Sequence, residues 1–181
     1  MKIKPLFLKS IKQWRLNKMS FEETIEAFKK DNSKGERNFN VLIDDNGGMS
    51  FKLSMGDKPH VVYSGSPPGL GGEDKGASPL LLTLGVTGAC IGTVIKFWAR
   101  LMNVKIDNIQ ISMRGHINLC GIFGIGGHSA GFDNLKAVIR LTTSESEAKI
   151  NELLKNVDSH CPIFLALRDP NPIEWDIRIK K

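Results

Sequence analysis

The sequence predicts an α+β fold in which antiparallel sheets surround one long central helix, and three observations support this prediction. Apolar and polar residues alternate between Arg37 and Tyr63, which is the two-residue period of strands. A long apolar run follows Ser78-Pro79, an N-cap residue with proline at the first helical position. Capping signals at Ser144 and before Pro162 predict two shorter helices near the carboxyl end.

The composition is that of an ordinary globular protein. Of 181 residues, 41% are apolar and 24% are charged, so the chain can bury a core. We expect a helical extension over residues 1–35 and one domain over residues 36–181. The net charge of +6 is spread along the chain, which favours a solvated surface over a nucleic-acid partner. Three cysteines without dense spacing exclude the disulfide scaffold of a small secreted protein.

A capping box predicts the first helix. Ser20 is the N-cap residue and Glu23 occupies the box position, while Phe21, Ile25 and Phe28 recur at helical spacing. The residues Asn32-Ser33-Lys34-Gly35 then end this helix.

A three-stranded antiparallel meander is predicted next. Its first strand begins at Arg37, and Asp45-Asn46-Gly47-Gly48 forms a hairpin turn because these residues accept positive φ. The second strand continues through Phe51 and Leu53, and the third is His60-Val61-Val62-Tyr63.

The central helix follows a glycine- and proline-rich connection. Residues 64–77 contain five glycines and two prolines, and the helix should run from Ser78 to about Asn103. Its apolar window, Leu80 to Ile95, is about 16 residues, short of the ~20 that a bilayer needs. We therefore expect a buried helix and no membrane partner. Because the N-terminus also lacks a signal-peptide core, a cytoplasmic protein is expected.

The remaining elements alternate between strands and helices. We predict a strand from Val104 to Met113, a glycine-rich connection over residues 115–131, a strand from Leu135 to Leu141, a helix from Ser144 through Val157, a break at residues 158–160, a helix from Cys161-Pro162 to about Leu167, and a final strand from Ile173 to Ile179.

The cysteines are the main candidates for chemistry. Cys161 stands at a helix start, where the helix dipole lowers the pKa of a thiol, whereas Cys90 lies in mid-helix without a visible activating group. A lone cysteine is more commonly a small buried hydrophobe, and we assign Cys120 that role. His116, Cys120 and His128 form no known metal motif, so neither a metal nor a cofactor is expected.

The order of these parts resembles the OsmC/Ohr family, the osmotically inducible and organic hydroperoxide resistance proteins. The matching features are the strand meander, the stretch Gly71-Gly72-Glu73-Asp74-Lys75-Gly76-Ala77-Ser78-Pro79, Cys90 eleven residues after that proline, and a late Cys161-Pro162. The resemblance covers about residues 37–180. The interval of 71 residues between Cys90 and Cys161 is close to that of the family.

The resemblance implies an intertwined homodimer in which the two central helices pack together. It also implies a thiol peroxidase acting on organic hydroperoxides. The thiolate of Cys90 would attack the peroxide, Cys161 would condense with the resulting sulfenic acid, and a lipoyl-type dithiol would reduce the disulfide.

The chain departs from the peroxidase pattern at the activating groups. The family's glutamate follows the proline, where this chain has Leu80 and Leu81. Arg37 is the nearest candidate for the family's arginine, with Glu73 or Asp74 as possible acids. Two functions therefore stay open: a peroxidase that uses Cys90, Cys161 and Arg37, or a non-catalytic protein that binds a small apolar ligand in the dimer cleft.

Overall fold

A computed structural model describes residues 19–56, 60–169 and 172–179, and these form an α+β fold with antiparallel sheets, as predicted. The elements, in chain order, are α1 (Phe21–Lys30), β1 (Val41–Asp45), β2 (Ser50–Met55), β3 (His60–Gly65), α2 (Pro79–Leu101), β4 (Asn108–His116), α3 (Leu119–Ile122), β5 (Asp133–Thr142), α4 (Glu147–His160) and α5 (Pro162–Arg168). Short 3₁₀ turns occupy Asn32–Gly35 and Pro68–Leu70.

The chain divides into two compact units. The described part of the first unit comprises residues 19–42, 54–56 and 60, and that of the second comprises residues 43–53, 61–169 and 172–179. The predicted boundary near residue 36 stays a prediction.

Helix α1 begins with the predicted capping box. The backbone N–H of Glu23 donates to the Ser20 hydroxyl at 3.1 Å, and the N–H of Ser20 donates to the Glu23 carboxylate at 2.7 Å. Two N–H groups that a helix start leaves unpaired are thereby satisfied. The predicted first helix is confirmed, whereas the extension over residues 1–35 stays a prediction, and residues 1–18 lie outside the described part.

The predicted meander is confirmed, with strand order β1-β2-β3. The predicted start of its first strand at Arg37 is wrong, because β1 begins only at Val41. All five residues of β1 are exposed, so the apolar side chains of this strand are not covered within a single chain.

The connection from β3 to α2 is held by backbone hydrogen bonds to the sheet. Ser64 forms an isolated bridge with Ala77, and the N–H of Asp74 donates to the Ser66 carbonyl at 3.1 Å. The chain approaches so closely that a Cβ atom on Gly72 would lie 1.8 Å from the Ser66 carbonyl oxygen. Only glycine fits at position 72, because any larger residue would clash with the Ser66 backbone.

Helix α2 begins as predicted, because the Ser78 hydroxyl accepts the N–H of Leu81 at 3.3 Å. Of the helices within the described residues, α2 alone is long and apolar enough to cross a membrane, with a mean hydropathy of 1.8 over 18 residues. Core helices of soluble proteins meet the same criterion. Only 28% of that window is buried in a single chain, so the predicted buried helix is covered on one side only.

Strand β4 and helices α4 and α5 cover that side. A Cβ atom on Gly88 would lie 3.0 Å from Cγ of Met113 and 3.6 Å from Cγ2 of Ile111, which places β4 directly against the helix. The predicted strand start at Val104 is wrong, since β4 begins at Asn108 and Val104 is buried in the core. A four-residue helix, α3, lies inside the glycine-rich connection.

Helices α4 and α5 differ from the prediction in their boundaries. Ser146 caps α4 by accepting the N–H of Lys149 at 3.4 Å, so the predicted start at Ser144 is two residues early. The predicted break at residues 158–160 is also wrong, because α4 continues to His160. Helix α5 is confirmed, with Cys161 as its N-cap residue.

The predicted final strand is wrong, because residues 172–179 hold no regular element. An isolated strand gains no hydrogen bonds unless it pairs with a sheet edge. Its four alternating apolar side chains are 74% to 84% exposed: Ile173, Trp175, Ile177 and Ile179.

The core lies between α2, α4 and the α4–α5 corner. Its buried residues are Ile91, Val94, Ile95, Ala99, Val104, Leu153, Val157 and Cys161.

We predict that Gly72→Ala destabilises the fold, because the new methyl group would collide with backbone and not with a flexible side chain. Such overpacking typically lowers the free energy of unfolding by roughly 1–3 kcal/mol. Urea unfolding of the wild type and the variant measures this difference. Gly69→Ala in the same connection is the control, since a Cβ atom there meets nothing within 4 Å. Equal unfolding midpoints for the two variants would contradict this account of the connection.

Candidate thiol site

The structure brings Cys90 and Cys161 together. Cys90 lies in the middle of α2, and Cys161 lies at the corner where α4 ends and α5 begins. Because both short helices pack against α2, the corner residue faces the centre of the long helix. The two sulfur atoms are 3.5 Å apart, although 71 residues separate them in the chain.

Local sequence explains the corner. The N–H of Cys161 donates to the Val157 carbonyl at 3.0 Å and completes α4. Pro162 follows at the first position of α5, where its fixed φ suits a new helix and its missing N–H costs nothing. One residue therefore serves as the C-cap of α4 and the N-cap of α5.

The two thiols differ in access to solvent. Cys161 is completely buried, whereas Cys90 is half-buried at the edge of the same core. Both are free thiols, since a disulfide needs a sulfur–sulfur distance of about 2 Å. Closing the remaining gap would need only a small side-chain rotation or a small shift of the corner.

Burial raises the pKa of the Cys161 thiol, because removal from water penalises the thiolate. The backbone N–H groups of Phe164 and Ile163 in the first turn of α5 lower this pKa, but more weakly than burial raises it. Contact with Cys90 raises the pKa further. The helix start lowers this pKa as expected, but burial outweighs that effect, so Cys161 holds its proton at neutral pH.

An aromatic contact lies next to the corner and was missed by the sequence analysis. The rings of Trp98 and His160 are 4.9 Å apart and tilted by 47°. Nδ1 of His160 lies 2.8 Å from the Asn156 carbonyl oxygen. Trp98 lies two turns after Cys90, and His160 immediately precedes Cys161, so this contact ties the two cysteine-bearing segments together. The adjacency of His160 to Cys161 was the only signal in the sequence.

An apolar cavity of about 220 Å³ lies one helical turn from each cysteine. Thr87, three residues before Cys90, and Phe164, three residues after Cys161, both line it. Its other lining residues come from α2, β4, β5 and α5: Leu84, Met113, Leu135, Lys136, Ala137, Leu167 and Arg168. The cavity can accept a small apolar molecule beside the sulfur pair.

The other residues that the sequence predicted for the site do not contact the two sulfur atoms in the described part of the chain. In the part of the chain that the structure describes, no arginine, lysine or histidine nitrogen donates to either sulfur. Arg37 belongs to the other compact unit, and its role stays a prediction. Leu80 is half-buried and Leu81 exposed, and neither supplies an acid. Glu73 pairs with Lys75 at 2.7 Å.

The loop residues considered for a metal are not gathered either. No group of three or more possible metal ligands occurs among residues 19–56, 60–169 and 172–179. His116 instead contacts the Asp133 carboxylate at 2.8 Å, and Cys120 is an exposed free thiol, not the buried hydrophobe we predicted.

The chain is similar to known proteins in sequence and in fold. Residues 72–176 match the model of a family described as OsmC-like protein. The sequence has no match among curated proteins.

Several solved structures share the fold. An OsmC-like protein from Mycoplasma pneumoniae is 15% identical with a TM-score of 0.58, over 75% of this chain and 89% of that one. An organic hydroperoxide resistance protein from Legionella pneumophila is 16% identical with a TM-score of 0.54, over 74% and 93%. One from Elizabethkingia anophelis is 16% identical with a TM-score of 0.54, over 75% and 91%.

We predict that the raised pKa of Cys161 makes the reduced protein less stable at alkaline pH. The unfolded thiol loses its proton near pH 8.5, while the folded thiol keeps it to higher pH. The contribution of the protonated Cys161 thiol to the free energy of unfolding is fully present below about pH 8.5. It is lost as pH rises through the pKa of the folded thiol. Urea unfolding with a reductant should show a steeper alkaline decline for the wild type than for Cys161→Ser. Parallel pH profiles would contradict the prediction.

Proposed function

Because the chain belongs to the family of OsmC-like proteins, we propose that it is a thiol peroxidase that reduces organic hydroperoxides through Cys90 and Cys161. The observation that supports this most directly is the contact of the two sulfur atoms at 3.5 Å beside an apolar cavity. Two neighbours of the same fold are called organic hydroperoxide resistance proteins.

The unequal burial of the thiols assigns their roles. Cys90 is the more accessible sulfur, so its thiolate attacks the terminal peroxide oxygen. The O–O bond breaks, Cys90 is oxidised to a sulfenic acid, and the alcohol leaves after taking up a proton from water. The hydroperoxide is thereby reduced by two electrons.

Cys161 then resolves the sulfenic acid. The sulfur of Cys161 attacks the sulfur of Cys90, a disulfide forms, and the Cys161 proton leaves with the hydroxyl group as water. Burial keeps that proton on Cys161 until the sulfenic acid is in place. An external dithiol of lipoyl type restores both thiols by exchange and becomes a disulfide itself.

The cavity supports a preference for apolar hydroperoxides. Its lining is mostly aliphatic and aromatic, so transfer of a hydrocarbon group from water is favourable, whereas hydrogen peroxide gains nothing from it.

Arg37 is proposed as the cation that stabilises the Cys90 thiolate. This assignment rests on the sequence, supported by one structural observation. Nη2 of Arg37 is buried and has no hydrogen-bond partner among the described residues, so it retains an unused donor.

We also propose that the chain forms an intertwined homodimer. Helix α2 leaves Leu81, Val86 and Phe97 at least half exposed, and residues 173–179 expose their alternating apolar side chains. Monomeric proteins rarely expose contiguous apolar surface of this kind. Along α2, small residues line an open groove of about 550 Å³, namely Gly85, Gly88, Ala89, Gly92 and Thr93, and these suit close approach of a second helix.

We also propose that the protein is cytoplasmic. Three free cysteines suit a compartment that keeps thiols reduced, which supports the cytoplasm.

The alternative function, binding of a small apolar ligand without turnover, is supported by Leu80 and Leu81 in place of the family's acid and by the raised pKa of Cys161.

We predict that cumene hydroperoxide is consumed in the presence of dihydrolipoamide. Cys90→Ser should abolish turnover, because no attacking sulfur remains, and Cys161→Ser should stop multiple turnover after sulfenic acid forms. Arg37→Gln should lower the rate of peroxide consumption at neutral pH at least tenfold. The matched control is Cys120→Ser, which removes an exposed thiol outside the pair and should keep full activity.

Retained turnover in Cys90→Ser would refute the peroxidase. Binding of an apolar probe without peroxide consumption, and without a disulfide after peroxide treatment, would establish the alternative function instead.

We predict that light scattering shows a particle of twice the chain mass. Ala89→Glu should give monomers, because a carboxylate would be buried against the second helix without a partner. Ala148→Glu, an equal change at an exposed position of α4, should remain dimeric. A monomeric wild type, or a dimer untouched by Ala89→Glu, would contradict this interface.

A further inference from the structure

The β4–β5 hairpin has two distinct faces. Side chains of Ile111 and Met113 contact α2, and alternation along a strand therefore directs Ser112 and Arg114 to the opposite, outer face. In the antiparallel register Arg114 lies directly opposite Lys136, and both are exposed, although Lys136 also borders the apolar cavity. We call this pair the basic rung.

The basic rung lacks neighbouring carboxylates. Between Asp107 and Glu145 the sequence contains a single acidic residue, Asp133, whose carboxylate is engaged by His116 at 2.8 Å. Within the described residues neither Arg114 nor Lys136 forms an ion pair. Like charges placed directly opposite each other on a sheet are destabilising, and an external anion between them removes that cost.

An exposed apolar surface follows the basic rung along the hairpin. Four large side chains at the end of the hairpin are exposed by 39%, 50%, 61% and 58%, respectively: Leu119, Ile122, Phe123 and Ile125. We call them the apolar tip. They occupy a seven-residue stretch without a charged residue.

We infer that this hairpin binds the surface of a membrane rich in anionic phospholipid. The apolar tip enters the boundary between headgroups and acyl chains, and the basic rung contacts lipid phosphates. A nucleic acid would use the cations but gains little from three aliphatic side chains. A second copy of the chain that docked through the same surface would bring one basic rung towards another, which is repulsive.

This inference goes beyond the peroxidase proposal and does not depend on it. It differs from the expectation, drawn from the length of the apolar window in the central helix, that the chain has no membrane partner. Such binding is peripheral and reversible, since each surface cation strengthens it only roughly fivefold.

The test uses the full chain and vesicles of phosphatidylglycerol mixed with phosphatidylcholine, compared with phosphatidylcholine alone. We expect cosedimentation with the anionic vesicles that weakens at high salt. Arg114→Gln with Lys136→Gln should weaken it roughly 25-fold, and Ile122→Ser with Phe123→Ser at least tenfold. The control is Lys155→Gln, an exposed lysine of α4 that should bind like the wild type.

Three results would overturn the inference. The first is the absence of binding to anionic vesicles at low salt. The second is retention on duplex DNA that needs the basic rung but not the apolar tip. The third is loss of the oligomer in the tip variants by light scattering, which would assign the tip to an interface between copies.

Discussion

The contact between the α4–α5 corner and the middle of α2 is the constraint on which the rest of the structure depends. Because α4 ends and α5 begins at one residue, Cys161 projects from a corner and not from the side of a helix. The Cys161 side chain is completely buried against α2, where Cys90 lies. The same burial completes the core, closes one side of the apolar cavity and excludes water from one of the two sulfurs.

Burial has opposite consequences for folding and for chemistry. A buried thiol stabilises the core as a small hydrophobe, yet its thiolate is disfavoured, so Cys161 alone would be a poor nucleophile. The proposed cycle uses this difference, because the accessible Cys90 meets the substrate first and the protonated Cys161 acts only on an oxidised partner. As a consequence, activation of Cys90 needs a cation from outside the sulfur pair and its hydrogen-bond partners, and we assign this role to Arg37.

The sequence predicted most elements whose signals are local. The capping box at Ser20 and the cap at Ser78 are satisfied within the first turn, and Pro162 opens α5, so these helix starts are correct. Ser144 failed as a cap because Ser146 competes two residues later. The final strand failed because strand formation depends on a pairing edge that local alternation does not reveal. The contact of Cys90 with Cys161 was visible only through family resemblance, since spacing alone cannot show that two helices meet.

The most direct test of the redox pair is a crystal structure of the protein after treatment with cumene hydroperoxide. The account predicts continuous density between Cys90 and Cys161, with the sulfur–sulfur distance shortened from 3.5 Å to about 2 Å. A Cys90 sulfur oxidised to sulfinic acid beside an unchanged Cys161, or two unmodified thiols, would contradict it.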